Sequence, residues 1–281
     1  DYQNAFISKV SASGNIEWSK EYGEPTNNRY ENFTSVKETS DGGFIIAGQF
    51  QTGPQQHYDA WLLKTDSNGD EEWSKTYGWG SGSSGQESFN DIQITSDGGF
   101  ILSGSTNSVG AGSNDMYLVK VDSNGNEEWY KTFGGADSES ASTHTLQLTT
   151  DGGFIFSSNH IDTGSYIVKT DSSGNMEWDT AFNSNRENIY SIQLAPDGGY
   201  YLIGKTNEDS DYANFLLKKM DSSGSIEWEK TYGGDNSDIA YDAAVALDGS
   251  IYLLGWTRSF GPTSTYNMYL IKVDSQGNQE F

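Results

Sequence analysis

The stretch that decides the fold begins Asp97-Gly-Gly-Phe-Ile-Leu-Ser-Gly104. After a polar connection it continues as Met116-Tyr-Leu-Val-Lys-Val-Asp-Ser-Asn-Gly-Asn-Glu-Glu-Trp-Tyr-Lys-Thr-Phe-Gly-Gly135. Its second half recurs along the chain. The pattern Asp-x-x-Gly-x-x-Glu-Trp runs from Asp66 to Trp73, Asp122 to Trp129, Asp171 to Trp178 and Asp221 to Trp228. A first copy has Ser11 in the aspartate place, and a last copy has Phe281 in the tryptophan place. Counted from Trp18, the aromatic steps are 55, 56, 49, 50 and 53 residues. Asp-Gly-Gly falls between them at Asp41, Asp97, Asp151 and Asp197, with Asp248-Gly-Ser as a fifth copy. A period near ~50 residues belongs to propeller blades, whereas helical solenoids repeat every ~33–47.

Each period divides into four short strands. The first, Met116 to Val121, is matched by Ala60 to Thr65 and Met268 to Val273, and the Asp-x-x-Gly turn leads into a second, Glu128 to Phe133. The third, Asp91 to Thr95, alternates apolar and polar, as a half-buried strand does. The Asp-Gly-Gly turn then starts a fourth, Phe100 to Gly104. It is almost wholly apolar and needs cover on both faces, which sheet-on-sheet packing supplies. No 3.6-residue apolar stripe survives between the glycines, so helices are not expected. The expected fold is all-β: a β-propeller of four-stranded antiparallel blades, with residues 1–281 as one domain of a longer chain that opens and closes in mid-repeat. The first strand occurs six times but the third and fourth five times, so six blades are favoured, with five as the alternative.

Composition narrows the function. With 40 acidic and 16 basic residues the net charge is −24, which repels nucleic acid and anionic membranes, so neither is expected as a partner. Aromatics make up 14% of the chain, a core built of rings rather than a disordered acidic tail. There is no cysteine, which removes disulfides and thiolate metal sites. No apolar run approaches the ~18 residues of a membrane-spanning helix.

The blocks of 97–135 resemble a repeat found in secreted and cell-surface β-propellers of bacteria and archaea, the PQQ-like or delta-sixty type. The likeness extends over almost the whole chain. It implies an extracellular or cell-surface location and a modular parent protein, and it brings no shared catalytic residue. No quinone site can be identified, and fold alone does not give function.

Strand order separates two ends. In an up-and-down blade the Asp-x-x-Gly and Asp-Gly-Gly turns share one face and hardly vary. The other two connections share the opposite face and differ in length and content, as at 79–85, 136–140, 183–186, 51–58, 208–212 and 258–262. Variable loops on a rigid scaffold are where function concentrates. A ligand is therefore expected near Tyr58, Trp79, Tyr212, Trp256 and Arg258.

Other features have plainer readings. Trp18, Trp73, Trp129, Trp178 and Trp228 recur at one position, as packing between blades requires. Lys9, Lys64, Lys120, Lys169, Lys218 and Lys272, with the Glu before each Trp, suit cross-strand ion pairs. Asp66, Asn68 and Asp70 resemble the start of a calcium loop, but Tyr77 stands where its closing Glu belongs, and turn chemistry is the stronger reading. No cofactor is expected, calcium being the one candidate. His57, His144 and His160 have no metal-ligand spacing, and no nucleophile motif is present. The expectation is a non-catalytic binding, adhesion or display module for a glycan or surface protein. The alternatives are a structural subunit assembled with neighbouring copies and an extracellular carbohydrate-active enzyme with carboxylates in a central channel.

Overall fold

The computed structural model of the chain describes residues 4–23, 30–52, 57–78, 85–111, 113–135, 140–141, 145–160, 164–182, 187–206, 212–261 and 265–281. Every regular element among them is a strand, and no helix is long and apolar enough to cross a membrane. The chain divides into two compact units, Asp1–Ala141 and Ser142–Phe281.

The first unit opens with a hairpin, β1 (Ala5–Val10) and β2 (Ile16–Tyr22). Two four-stranded sheets follow: β3 (Glu31–Glu38), β4 (Phe44–Gln51), β5 (Tyr58–Thr65) and β6 (Glu71–Tyr77), then β7 (Glu87–Ile94), β8 (Phe100–Thr106), β9 (Asp115–Val121) and β10 (Glu127–Phe133). A two-residue strand, β11 (Ser140–Ala141), ends the unit. The second unit holds β12 (Gln147–Leu148), β13 (Phe154–His160), β14 (Gly164–Thr170) and β15 (Met176–Ala181), paired in that order. Next come β16 (Asn188–Leu194), β17 (Tyr200–Lys205), β18 (Phe215–Met220) and β19 (Ile226–Tyr232), then a three-stranded sheet of β20 (Asp238–Val245), β21 (Ile251–Thr257) and β22 (Asn267–Val273). All these ladders are antiparallel between consecutive strands, and the described residues form six sheets, the favoured count. The sheets are cut at a different point from the sequence repeat: each complete sheet runs third, fourth, first, second strand.

The two central strands of each sheet are the most buried, since the next sheet covers them. Ile45, Ala47, Ala60 and Leu62 share one core with Phe89, Leu102, Tyr117 and Val119, all sealed from solvent. In the second unit Ile203, Leu217 and Phe215 pack on Leu253 and Ile271. Each such aliphatic side chain contributes about 1.5–3 kcal/mol by leaving water. Leading strands of successive sheets touch: the Thr34 hydroxyl donates to the Phe89 carbonyl (2.7 Å), and that of Ser35 donates to Asp91 (2.9 Å).

The invariant turns lie at one end of every sheet, and each invariant residue has a separate task. Asp41 Oδ1 accepts from Gly43 N (2.9 Å) and from the Thr39 hydroxyl (2.6 Å). Gly42 is needed for its φ of +82°. Gly43 is needed for space, because a Cβ there would lie 2.6 Å from Lys64 Nζ. That lysine is buried between Asp41 (3.0 Å) and Glu72 (2.9 Å) and also donates to the Thr65 carbonyl. Lys120 and Lys169 repeat the arrangement with Asp97/Glu128 and Asp151/Glu177. In the fourth repeat the expected Lys218 is displaced by one residue: Lys219 pairs with Asp197 and Glu227. Lys219, like the other repeat lysines, stands nine residues before its tryptophan.

The Trp and Tyr of each second strand clasp the next sheet. Trp18 Nε1 donates to the Ser67 carbonyl, its ring lies against Gly69, and the Tyr22 hydroxyl donates to the Gly69 carbonyl (2.6 Å). Tyr77 and Tyr232 hold Gly125 and Gly277 in the same way (both 2.7 Å). The tryptophans are thus packing residues, as expected.

Candidate functional site

The opposite end of the sheets is less uniform. Five residues before each repeat lysine stand Asn4, Asp59, Asp115, Gly164, Asn214 and Asn267. Nearby, the third strands begin on acids that are almost wholly buried: Glu31, Glu87, Glu187 and Asp238. The two positions meet between consecutive sheets. Gly233 packs against both Asn214 and Asp238, and in the first unit a bridge joins Tyr58 to Gln86, which brings Asp59 beside Glu87.

A buried carboxylate needs hydrogen bonds or a cation. Asp238 accepts from the Ser259 hydroxyl (2.7 Å) and Gly234 N (2.9 Å). Glu187 pairs with the extra lysine of the doublet, Lys218 (2.8 Å), which also reaches Glu229 (2.6 Å) and lies over the Phe182 ring. Glu87 has neither arrangement. It accepts from the Thr106 hydroxyl (3.0 Å), and among the described residues no lysine or arginine pairs with it. Where Asn214 stands beside Asp238, the carboxylate Asp59 stands beside Glu87. Burial pushes the Glu87 carboxyl up, and the Asp59 charge adds to this, against the opposing pull of Ser108, Thr106 and His57.

The surroundings are built to hold this pair. Tyr117 is fully buried, stacks on Phe89 at 5.6 Å, and has its hydroxyl pushed well up, by burial first and then by Glu87. A Cβ on Gly78 would come 2.5 Å from Asp59 Oδ1, so only glycine lets that carboxylate lie against the backbone. His57 Nε2 is buried without a hydrogen-bond partner among the described residues. Chemically this is a carboxyl with a raised pKa, a second carboxyl and an imidazole in one place.

The ligand residues expected from sequence separate between the units. Tyr58 is half-buried at the start of β5, next to Asp59. Trp79 lies outside the described residues, as do most of the variable loops. In the second unit Trp256 meets Tyr266 edge-on at 4.6 Å and donates to the Tyr241 hydroxyl, and Arg258 lies 5.5 Å from the Tyr266 ring centre. Tyr212 is exposed. The Asp66 carboxylate accepts from Asn68 N (2.8 Å) and Asp70 N (2.9 Å), the bonds its own turn requires, while Asp70 pairs with Lys20. Sequence reading passed over Glu87, Asp59 and His57. The column Asn4, Asp59, Asp115, Gly164, Asn214, Asn267 holds two acids, so it did not by itself single out Asp59; what does is the acid Glu87 beside it, in the next sheet.

No family model matches the chain, and no curated protein does. Solved structures do. A protein of unknown function from Dyadobacter fermentans aligns at TM-score 0.59 and 11% identity, covering 91% of this chain and 81% of its own. A puromycin hydrolase (S511A mutant) aligns at TM-score 0.58 and 10% identity over 96% of this chain, which spans only 40% of the hydrolase. An endo-arabinase from Bacteroides thetaiotaomicron aligns at TM-score 0.46 and 12% identity, covering 86% of this chain and 93% of its own. The first two likenesses and the antiparallel four-stranded sheets define the fold as a β-propeller. The expectation of a non-catalytic binding, adhesion or display module is corrected here. The proteins that share the fold include hydrolases, and a buried carboxylate pair interrupts the repeat where ligand chemistry was looked for.

Proposed function

We propose that the chain is an extracellular hydrolase of glycosidic bonds in which Glu87 and Asp59 are the catalytic carboxylates. The observation that carries this reading is the Asp59–Glu87 pair, two acids side by side where Asn214 and Asp238 give an amide and an acid, with no lysine or arginine paired to Glu87 among the described residues. Glu87, its pKa raised by burial and by its neighbour, is the general acid: its proton goes to the leaving oxygen as the bond to the anomeric carbon breaks. Water adds to that carbon, and the Asp59 carboxylate takes the proton released. Tyr58, next in sequence to Asp59, offers a ring on which a sugar can stack. The repeats' resemblance to secreted and surface propellers supports the extracellular setting.

The test is release of reducing ends from a panel of polysaccharides, with wild type and the Glu87→Gln and Asp59→Asn variants. Turnover by wild type that either variant loses supports the reading. Retention of a polysaccharide without cleavage, or cleavage that both variants keep, overturns it.

A further inference from the structure

Two consecutive repeats of the second unit balance the buried acid of the third strand in different ways. In the first, the acid is Glu187, and the residue that meets it from the preceding first strand is Gly164, which brings no side chain: a Cβ there would lie 2.9 Å from the Glu187 carbonyl. The charge is met instead by Lys218, at 2.8 Å, with both side chains buried. One repeat later every part has changed. The acid is Asp238, wholly buried. The glycine has become Asn214, five residues before Lys219 as Gly164 is before Lys169. The lysine has become Ile271, one residue before Lys272 as Lys218 is before Lys219. Ile271 is sealed in the apolar core and carries no charge.

What remains is a pair of oxygens. Asp238 Oδ2 takes both of the carboxylate's hydrogen bonds, from the Ser259 hydroxyl and from Gly234 N. Asp238 Oδ1 and Asn214 Oδ1 are buried, and no protein donor reaches either among the described residues. The two side chains share one place, because a Cβ on Gly233 would lie within 2.5 Å of both. Their backbones are tied there as well: Asp238 N donates to the Ala213 carbonyl at 2.6 Å. Buried acceptors, one of them on a carboxylate, need a positive group between them, because water is excluded and like partial charges repel. The lysine of the preceding repeat is gone, and an amide oxygen has been added.

We propose that Asn214 and Asp238 hold a calcium ion between β18 and β20. A carboxylate and an amide carbonyl are ligands of the kind this hard cation takes, and its remaining positions fall to backbone carbonyls and water. The ion does for Asp238 what Lys218 does for Glu187, and it ties the sheet β16–β19 to the sheet β20–β22. The site is separate from the Asp66 turn, whose carboxylate is already engaged by its own backbone.

The experiment uses the full chain, stripped with a chelator and titrated with calcium chloride in about 0.2 M sodium chloride, which screens the diffuse attraction of a net charge of −24. Calorimetry is expected to give one saturable site with a dissociation constant of about 10⁻⁴–10⁻³ M, and saturation should raise Tm by a few degrees. Asp238→Asn should weaken binding at least tenfold, and Asn214→Ala, at a half-buried side chain, at least threefold. Asn214→Asp puts a charged oxygen in the same place, so it should tighten binding while lowering Tm in chelator. Glu87→Gln should leave the titration unchanged. Absence of a saturable site overturns the proposal, as does binding that Asp238→Asn leaves intact or that Glu87→Gln removes. Weaker binding by Asn214→Asp overturns it too, because the Asn214 amide would then serve Asp238 as a donor and not offer its oxygen to an ion.

Discussion

The two ends of sheet β3–β6 hold charge in opposite ways. At the turn end Lys64 sits between Asp41 and Glu72, and although burial opposes its charge, the bonds from Glu72 and Asp41 outweigh that and raise its pKa. At the loop end Asp59 faces Glu87, and among the described residues no lysine or arginine pairs with Glu87, His57 being the one basic group that acts on it. The first arrangement recurs and serves every sheet alike. The second occurs once among the described repeats. Repetition marks what the fold needs, and a charge-uncompensated exception marks where chemistry is to be sought.

The comparison is broken most directly at its loop end. Glu87→Gln should lower polysaccharide turnover by about 10²–10⁴-fold, the span of general-acid catalysis, with urea stability changed by less than about 1 kcal/mol. Wild-type activity should fall on the alkaline side, as pH rises through the raised Glu87 pKa and its proton is lost; a pH profile of kcat/KM reads this. Equal loss of stability and activity would make Glu87 a packing residue like its counterparts.

The turn end should behave conversely. Lys169 is the most buried of the series, and Lys169→Met leaves Asp151 and Glu177 unpaired. Both acids are about half exposed, so the cost is discounted to about 1–3 kcal/mol in urea unfolding, with turnover per folded molecule unchanged. Gly69→Ala should cost about 1–2 kcal/mol, because φ is +78° there and Trp18 lies against the position.

The smallest effect is on acid stability. The Thr95 hydroxyl, Gly99 N and Lys120 hold Asp97 down to about 2 against burial. In Asp151 burial also opposes, but Thr149, Lys169 and Gly153 again bring it to about 2. A depressed carboxyl adds stability that is complete above its unfolded value near 3.8 and is lost as pH falls toward about 2. Urea midpoints should therefore drop between these limits, and Asp97→Asn should remove under about 1 kcal/mol of that dependence, because the side chain is largely exposed.

The strand pattern, the turns and the inward tryptophans were legible in sequence, since each rests on local periodicity or on a backbone angle only glycine reaches readily. Lys218 was placed one position off although the nine-residue step from lysine to tryptophan in the other copies picks Lys219 before Trp228, and the pairing with β19 agrees. The candidate site was less legible. Tyr58 was singled out for its loop, but its neighbour Asp59 looked like one of 40 acids, and its partner Glu87 is 28 residues on, in another sheet.

By itself, then, the sequence determined the repeating unit: strand, Asp-x-x-Gly turn, strand, strand, Asp-Gly-Gly turn, strand. Those choices depend on neighbours a few residues apart. Tertiary structure alone decided where the sheets are cut, which buried acids obtain a cation, and that Glu87 is left with a carboxylate beside it. Those outcomes depend on which strand of one sheet faces the next, where water is excluded and an unpaired charge becomes costly.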